Sequence, residues 1–190
     1  LEPVYYRMLA GNIREVSAMR NTIVTSGMED CVYIADKGFF SRANVTELER
    51  MSMQYIIPLR RGNKLIPYEA IKGMEQGDNY FNFSKRFIFY ADTRQMANRK
   101  IELFLDGKLK EQEKTDYLSR IQSLPESFTK PKFNEKVQTM GTLAIMHNTA
   151  LTPWDIYVEY KNRGETEQFF DHFKKHHQCC LLPYAEAGIA

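Results

Sequence analysis

Short apolar runs alternate with amphipathic segments over the first third of the chain. Runs of strand length occur at residues 3–9, Cys31–Ala35 and Tyr55–Leu59. Between them, apolar residues recur at helical spacing, which predicts helices from about Arg14 to Ser26 and from about Arg42 to Met51. Strands that alternate with helices in this way pair in parallel through crossover connections. The pattern therefore predicts an α/β sheet.

The pattern changes after Gly62. The remaining elements that we predict are short strands at Lys64–Tyr68, Asn79–Phe83 and Arg86–Tyr90, a charged helix over Lys100–Ile121, and a strand at Gln138–Met146 that returns to the main sheet. A last helix opens at Thr152, Pro153 and Asp155, because a hydroxyl at the cap, a proline at the first position and a carboxylate in the first turn are typical of a helix N-terminus.

This last helix carries the spacing Y-x2-R-x3-E-x6-K, formed by Tyr160, Arg163, Glu167 and Lys174. At about 100° per residue the four side chains project within an arc of roughly 60°. One face would then hold a carboxylate able to bind a metal, two cations able to bind phosphate, and a phenol. Gly164 is unfavourable inside a helix, and a break there would leave only Glu167 and Lys174 firmly on that face.

Asp36 directly follows the predicted strand at Cys31–Ala35. Catalytic and binding groups in α/β sheets often gather where parallel strands end, so Asp36 is a candidate site residue. Two alternatives stay open: Asp36 as the cap of a turn, and Glu167 as an ordinary solvated carboxylate. Glu165 projects about 160° away from Glu167 on an ideal helix and serves as an internal control.

Four segments resemble motifs of one family, in that family's order. The spacing from Tyr160 to Lys174 matches the YREK signature of insertion-sequence DDE transposases of the insertion-sequence-four-like group. The segment Val32–Ser41 is similar to that family's second catalytic aspartate block, and Pro3–Ile13 to the strand and turn before it. The strand and arginine at Tyr55–Arg60 continue the likeness.

The resemblance implies a metal-dependent DNA transposase that cleaves DNA strands and transfers them at insertion-sequence ends. Asp36 and Glu167 would be catalytic residues and ligands of Mg²⁺, with Mn²⁺ as a substitute. Tyr160, Arg163 and Lys174 would bind DNA. The implied partners are double-stranded DNA, both insertion-sequence ends and target, and a second copy of the chain in a synaptic complex.

The implied fold is α/β: a ribonuclease-H-like mixed sheet flanked by helices, with a β-rich insertion before the last catalytic helix. We expect the first part of the core at residues 1–61, a mixed strand and helix insertion at 62–137, and the last core strand and catalytic helix at 138–190. The insertion is expected because Asp36 and Glu167 lie too far apart in sequence for a minimal core of this kind.

One element of the family pattern is missing from the sequence. The family carries a first catalytic aspartate upstream of the segment that resembles Pro3–Ile13, and here no aspartate precedes Asp30. Since the chain opens with Leu1, we expect a fragment that lacks the first strand or strands and is inactive alone. The alternative is a catalytically dead, truncated transposase that only binds DNA or dimerises.

Composition adds little to this picture. A formal net charge of +2 and 43% hydrophobic residues are ordinary for a soluble domain, and no apolar run approaches the roughly 18–20 residues that cross a membrane. Three cysteines form no disulfide framework, so we expect reduced thiols in a cytoplasmic protein. The family resemblance further implies that the protein is associated with the nucleoid. Basic residues do cluster, as candidate phosphate contacts or plain solvated surface, at Arg60, Arg61 and Lys64, at Lys130, Lys132 and Lys136, and at Lys161, Arg163, Lys174 and Lys175.

Three further residues are weaker candidates. His147 and Asn148 follow the last predicted strand and are expected at the same sheet edge as Asp36. Trp154 could stack on an extruded DNA base, or simply pack at the start of the helix.

Overall fold

The six strands of the described chain form one mixed sheet in the order β1-β2-β6-β5-β4-β3. The structure is a computed structural model and describes residues 15–27 and 30–164. The strands are β1 (Val32–Ile34), β2 (Gln54–Leu59), β3 (Tyr80–Phe83), β4 (Arg86–Met96), β5 (Arg99–Asp106) and β6 (Thr142–His147). The helices are α1 (Glu15–Ser26), α2 (Arg42–Arg50), α3 (Gly107–Ser123), α4 (Lys130–Lys136) and α5, which covers residues 153–164.

Local signals explain the unit from β1 to β2. Ser41 caps α2, with its hydroxyl accepting a hydrogen bond from the Asn44 N–H at 3.0 Å. Val45 and Leu48 are buried one turn apart, which fixes the face that α2 turns to the sheet. The predicted helices at α1 and α2, both strands and their parallel pairing are confirmed. The strand predicted at residues 3–9 lies outside the described residues.

The prediction of a helix over Lys100–Ile121 is wrong in its first part, because residues 99–106 form β5. Ile101, Leu103 and Leu105 alternate with Glu102 and Phe104, and all of them are buried between β4 and β6. The charged residues of β5 resemble the charged face of a helix, but two of them, Glu102 and Asp106, are buried. The helix α3 begins only at residue 107, where the Asp106 side chain caps it by accepting from the Leu109 N–H at 2.9 Å.

The strand predicted at Lys64–Tyr68 is also wrong. The Asn63 side chain accepts a hydrogen bond from the Leu65 N–H at 3.0 Å, which folds the backbone into a local turn. Pro67 then precedes a short 3₁₀ helix at Tyr68–Ile71 instead of a strand. Of the later predictions, the strands at β3, β4 and β6 are confirmed, although β4 extends to Met96 and β6 begins at Thr142.

The strand β6 joins the early strands to the later ones. It runs antiparallel to both β2 and β5, and β5, β4 and β3 continue as an antiparallel meander. The sheet that results is mixed, with β1 and β2 as its parallel pair, and is compatible with a ribonuclease-H-like DDE domain. The division into residues 1–61, 62–137 and 138–190 stays a prediction.

The two faces of the sheet pack against different helices. One face, with Ile57, Leu103 and Met146, packs against residues of α1 and α2. The other, with Ile56, Phe104 and Ile145, packs against α5. No helix in the described ranges is long and apolar enough to cross a membrane.

A capping box fixes the start of α5. The Asp155 N–H donates to Thr152 Oγ1 at 3.3 Å, and the Thr152 N–H donates to Asp155 Oδ2 at 3.2 Å. Ile156, Tyr157 and Tyr160 are buried against the sheet, which sets the direction of the helix across this face. The predicted start of this helix is therefore confirmed, and Gly164 is still helical.

Candidate functional site

Asp36 lies just beyond the end of β1, with its side chain 53% exposed. Its Oδ1 accepts a hydrogen bond from the Lys37 N–H at 2.7 Å and so caps the 3₁₀ turn at Lys37–Phe39. The capping role considered from the sequence is therefore present. It does not bury the carboxylate, which remains open to a ligand.

The residue of the last helix that meets Asp36 is Arg163. Its Nη1 lies 3.5 Å from Asp36 Oδ1. The guanidinium also lies over the ring of Tyr160, with Cζ 5.4 Å from the ring centroid. The aspartate block and the Y-x2-R part of the signature, which come from opposite ends of the described chain, therefore meet in space.

The other signature residues divide into two groups. Tyr160 is buried, at 8% exposure, in the hydrophobic cluster between α5 and the sheet, so its ring supports Arg163 from the core side. Glu167 and Lys174 lie outside the described residues. The described part of α5 ends at Gly164.

Five cations surround Asp36 and the end of α5, and we call them the cationic rim: Lys37, Arg60, Arg86, Lys161 and Arg163. The sheet topology explains why they gather. The strands β1, β2, β3 and β5 finish toward this end of the sheet, which we call the Asp36 end, while β4 and β6 begin there. Arg60 comes over the turn after Asp36, since its Nη2 lies 3.9 Å from the position of a β-carbon at Gly38.

Arg86 and Asp106 form an ion pair within this group. Arg86 opens β4 and Asp106 closes β5, and Arg86 Nη1 donates to Asp106 Oδ2 at 3.0 Å. The Asp106 side chain is only 8% exposed and also caps α3, so the pair is held rigidly. The sequence did not single out either residue, because their contact depends on the register between two strands and no local motif marks it.

Lys161 lies next to this pair, one turn beyond Tyr157 on α5. Its Nζ is 5.2 Å from the Tyr157 ring centroid. Burial lowers the pKa of Lys161, and the positive charges of Lys37, Arg86 and Arg163 lower it further, while Asp106 acts in the opposite direction. Burial, followed by the charge of Asp106, raises the pKa of Tyr157 to about 12, so this phenol stays protonated.

The described residues hold no group of three or more His, Cys, Asp or Glu side chains that could bind a metal. What they offer is Asp36, an exposed carboxylate whose hard oxygens suit Mg²⁺ or Mn²⁺. Its position at the strand end beside α5 fits a cation whose remaining ligands come from outside the described part of the chain.

His147 and Asn148 do not belong to this site. Because β6 runs antiparallel to β2, they lie at the end where β2 begins, and the expectation that they share the edge of Asp36 is wrong. Asn148 instead holds the backbone there: its Oδ1 accepts from the Tyr55 N–H at 2.8 Å and its Nδ2 donates to the Met53 carbonyl at 3.0 Å.

Trp154 packs at the start of α5, which is one of the two alternatives considered from the sequence. It packs against Phe81 and Phe83 with ring centroids 5.1 and 6.2 Å apart, which anchors the start of α5 to the β3–β4 hairpin. It also keeps 42% of its surface exposed. Stacking of Trp154 on a DNA base stays a prediction.

Comparison with known families agrees with the geometry. The chain belongs to the transposase DDE domain family, whose sequence profile matches residues 3–181. No curated protein and no solved structure matches the chain. Members of this family act on DNA and generally use divalent metal ions, and an exposed carboxylate flanked by cations is compatible with such a domain.

Proposed function

We propose that this chain is the catalytic domain of a DNA transposase of the insertion-sequence-four-like group, which cleaves DNA strands and transfers them at insertion-sequence ends. The observation that carries the proposal is the contact of Arg163 with Asp36. Two segments that resemble separate motifs of one family meet at an exposed carboxylate. The YREK spacing and the aspartate block would then act as parts of a single site.

In this proposal Asp36 and Glu167 hold Mg²⁺, for which Mn²⁺ can substitute. The bound ion would activate the attacking oxygen and stabilise the leaving oxygen of the phosphodiester. The contribution of the chain itself is to hold the Asp36 carboxylate in place through the Lys37 N–H and to keep it accessible. Arg163 lies next to the same oxygen and would bind the phosphate undergoing reaction.

The other DNA contacts follow the same logic. Lys174 would supply a second positive charge for phosphate, as the YREK resemblance implies. Tyr160 would act mainly through Arg163, because its ring is buried beneath the guanidinium. We further propose that two copies of the chain hold the insertion-sequence ends in a synaptic complex in the cytoplasm, next to the nucleoid. The core would comprise residues 1–61 and 138–190, with 62–137 as the insertion.

Strand cleavage tests the proposal. Because the chain is expected to be inactive alone, it is first joined to a segment that supplies the first catalytic aspartate of the family. The joined protein is incubated with labelled DNA duplexes that carry the ends of its own element, with Mg²⁺ or Mn²⁺, and nicked strands are resolved on denaturing gels. We expect nicking when the chain is unaltered and none with Asp36→Asn or Glu167→Gln, with DNA binding largely intact in both. Glu165→Gln changes a neighbouring carboxylate that would project to another face of an ideal helix, and it should cleave like the unaltered chain.

Each alternative outcome has a definite meaning. Cleavage by Asp36→Asn at the normal rate would remove Asp36 from the catalytic set. If neither the unaltered chain nor its variants cleave DNA in the presence of metal, but all bind DNA tightly, the result favours the alternative of a truncated transposase that only binds DNA or dimerises. Failure to bind DNA at all would contradict both functions.

A further inference from the structure

Arg86 is held in place in a way that leaves it available to a ligand. Asp106 accepts with each oxygen from a different partner: Oδ2 from Arg86 Nη1 at 3.0 Å, and Oδ1 from the Leu109 N–H at 2.9 Å. The aspartate is nearly buried, whereas 39% of the Arg86 side chain is exposed. Since a guanidinium carries five N–H donors, this one is oriented by Asp106 and still has donors to offer.

Lys161 faces the same region with no carboxylate of its own. Among the described residues it has no ion-pair partner within 4.0 Å, and its ammonium lies over the Tyr157 ring. Three cations, Lys37, Arg86 and Arg163, act on its ammonium, against the single carboxylate of Asp106. The unaltered fold therefore brings like charges together here, which is unfavourable unless an anion binds among them.

We propose that Arg86 and Lys161 form a phosphate-binding subsite for the DNA strand that runs past Asp36, an inference that rests on the proposed function. Among the described residues, two carboxylates, Asp36 and Asp106, lie beside four cations of the rim, so the local charge of the described residues is positive. The four cations are Lys37, Arg86, Lys161 and Arg163. The cations line a sheet end over several strands and do not converge on one point. That arrangement suits successive phosphates of a strand better than a single small anion.

Salt dependence of DNA binding tests the subsite. Affinity of the chain for a fluorescent duplex is measured by anisotropy over a range of salt concentrations. The logarithm of the affinity should fall linearly with that of the salt concentration, and Arg86→Gln and Lys161→Gln should each reduce the slope by about 0.9, the value for one lost phosphate contact. Lys161→Arg keeps the charge and should keep the slope.

The matched controls carry the same changes on the other face of the sheet. Arg50→Gln alters an arginine on α2 that pairs with Glu47, and Lys72→Gln a lysine that pairs with Glu69. Neither should change the slope. Circular dichroism of every variant confirms folding. If one of Arg86→Gln and Lys161→Gln unfolds, the other carries the test, with the same reduction of the slope expected.

The outcomes separate this inference from the function on which it rests. If the chain binds DNA and Asp36→Asn loses cleavage, while Arg86→Gln and Lys161→Gln behave like the controls, the subsite is contradicted and the function stands. If the chain does not bind DNA, both fail. If a free nucleoside triphosphate competes with the duplex at the unaltered chain and does so less well at Lys161→Gln, the subsite binds a small phosphate, and a DNA strand is the wrong partner.

Discussion

The two ends of the sheet use charge in different ways. At the end opposite Asp36, the carboxylates lie against polar partners of the fold: Glu49 accepts from both Arg99 and the Tyr55 hydroxyl, and Glu102 lies against His147. At the Asp36 end, the rim cations outnumber the described carboxylates beside them. A charge that stabilises a fold can be buried against its partner, whereas a charge that serves a ligand must stay exposed to it.

In this molecule, the exposed fraction of a charged side chain and the identity of its partner together indicate whether the charge stabilises the fold or serves a ligand. Glu102 is 2% exposed and has a partner on the neighbouring strand, which indicates a structural role. Asp36 is exposed, and its ion-pair partner Arg163 is one of the residues that we propose bind DNA. On this basis, substitutions at the opposite end should change stability, and substitutions at the Asp36 end should change binding and catalysis.

The largest effect on stability should come from the buried pair of Glu102 and His147. His147 Nε2 lies 3.6 Å from Glu102 Oε1, and Nδ1 lies 3.2 Å from Thr149 Oγ1. His147→Leu would leave the Glu102 carboxylate buried without this polar neighbour, which should lower the free energy of unfolding by at least about 3 kcal/mol, the upper end for a buried polar group that loses its partner. Urea unfolding followed by circular dichroism measures the change.

The double variant Glu102→Leu with His147→Leu is the control for this prediction. Replacing a buried polar pair by apolar residues of similar volume is often close to neutral, so the double variant should be more stable than His147→Leu alone. Equal or greater destabilisation in the double variant would show that lost packing, and not a stranded carboxylate, controls the stability here.

Asn148 should have the next largest effect. Its amide bonds two backbone groups at the start of β2, the Tyr55 N–H and the Met53 carbonyl. Asn148→Leu leaves both without a partner and should cost about 2–3 kcal/mol, as expected for unsatisfied buried polar groups. Asn148→Asp keeps the acceptor for Tyr55 and loses the donor to Met53, so about half of that loss is expected. Equal unfolding midpoints for the two variants would contradict this account.

The sequence predicted the parts of the fold that local signals determine. The cap at Ser41, the apolar run before Asp36 and the fully buried run at Tyr55–Leu59 are each contained within a few residues, and each gave the correct element. The capping box at Thr152 did the same for α5. Asp36 was therefore placed at a strand end, whereas its position beside the last helix was implied only by the family resemblance.

Contacts distant in sequence could not be predicted. The charged residues of β5 favoured a helix because nothing near them in sequence shows that Glu102 is buried. Its partner is His147, on a strand much further along the chain. Likewise, Arg86 joins the cationic rim only because β4 pairs with β5 in a register that brings it to Asp106. A single sequence carries no signal for either pairing, since both depend on how the strands are ordered in the sheet.

Glu49 should have a moderate and pH-dependent effect. It accepts from Arg99 Nη2 at 2.6 Å and from the Tyr55 hydroxyl at 3.0 Å. These bonds, first of all that from Arg99, hold the pKa of Glu49 below its ordinary value of 4.5. Glu49→Gln should cost about 1–2 kcal/mol at neutral pH, a figure that allows for partial exposure of the pair.

The sign of the pH dependence follows from the lowered pKa. The Glu49 contribution is fully present above pH 4.5 and is lost as the pH falls through the folded-state pKa. Stability measured by urea unfolding should therefore differ most between Glu49→Gln and the unaltered chain at neutral pH, and the difference should shrink in acid. Glu69→Gln removes an exposed ion pair with Lys72 and should have no measurable effect at either pH.

The smallest effect on stability should come from Lys161, although it should matter for DNA. Burial and three neighbouring cations lower its pKa below the ordinary 10.5, which means that the charged form is disfavoured in the fold. Lys161→Gln should therefore leave the free energy of unfolding unchanged within about 0.5 kcal/mol, or raise it slightly, at neutral pH.

Unfolding at alkaline pH shows whether the charge of Lys161 destabilises the folded state or has no effect on it. Between the folded-state pKa and 10.5 the unfolded chain binds more protons at Lys161, so the stability of the unaltered chain should rise with pH relative to Lys161→Gln. If the free energy of unfolding changes with pH in the same way in the unaltered chain and in Lys161→Gln, the charge of Lys161 does not destabilise the fold. A clear loss of stability in Lys161→Gln at neutral pH would make Lys161 a structural residue, and the contrast between the two ends of the sheet would then fail at the residue that best defines it.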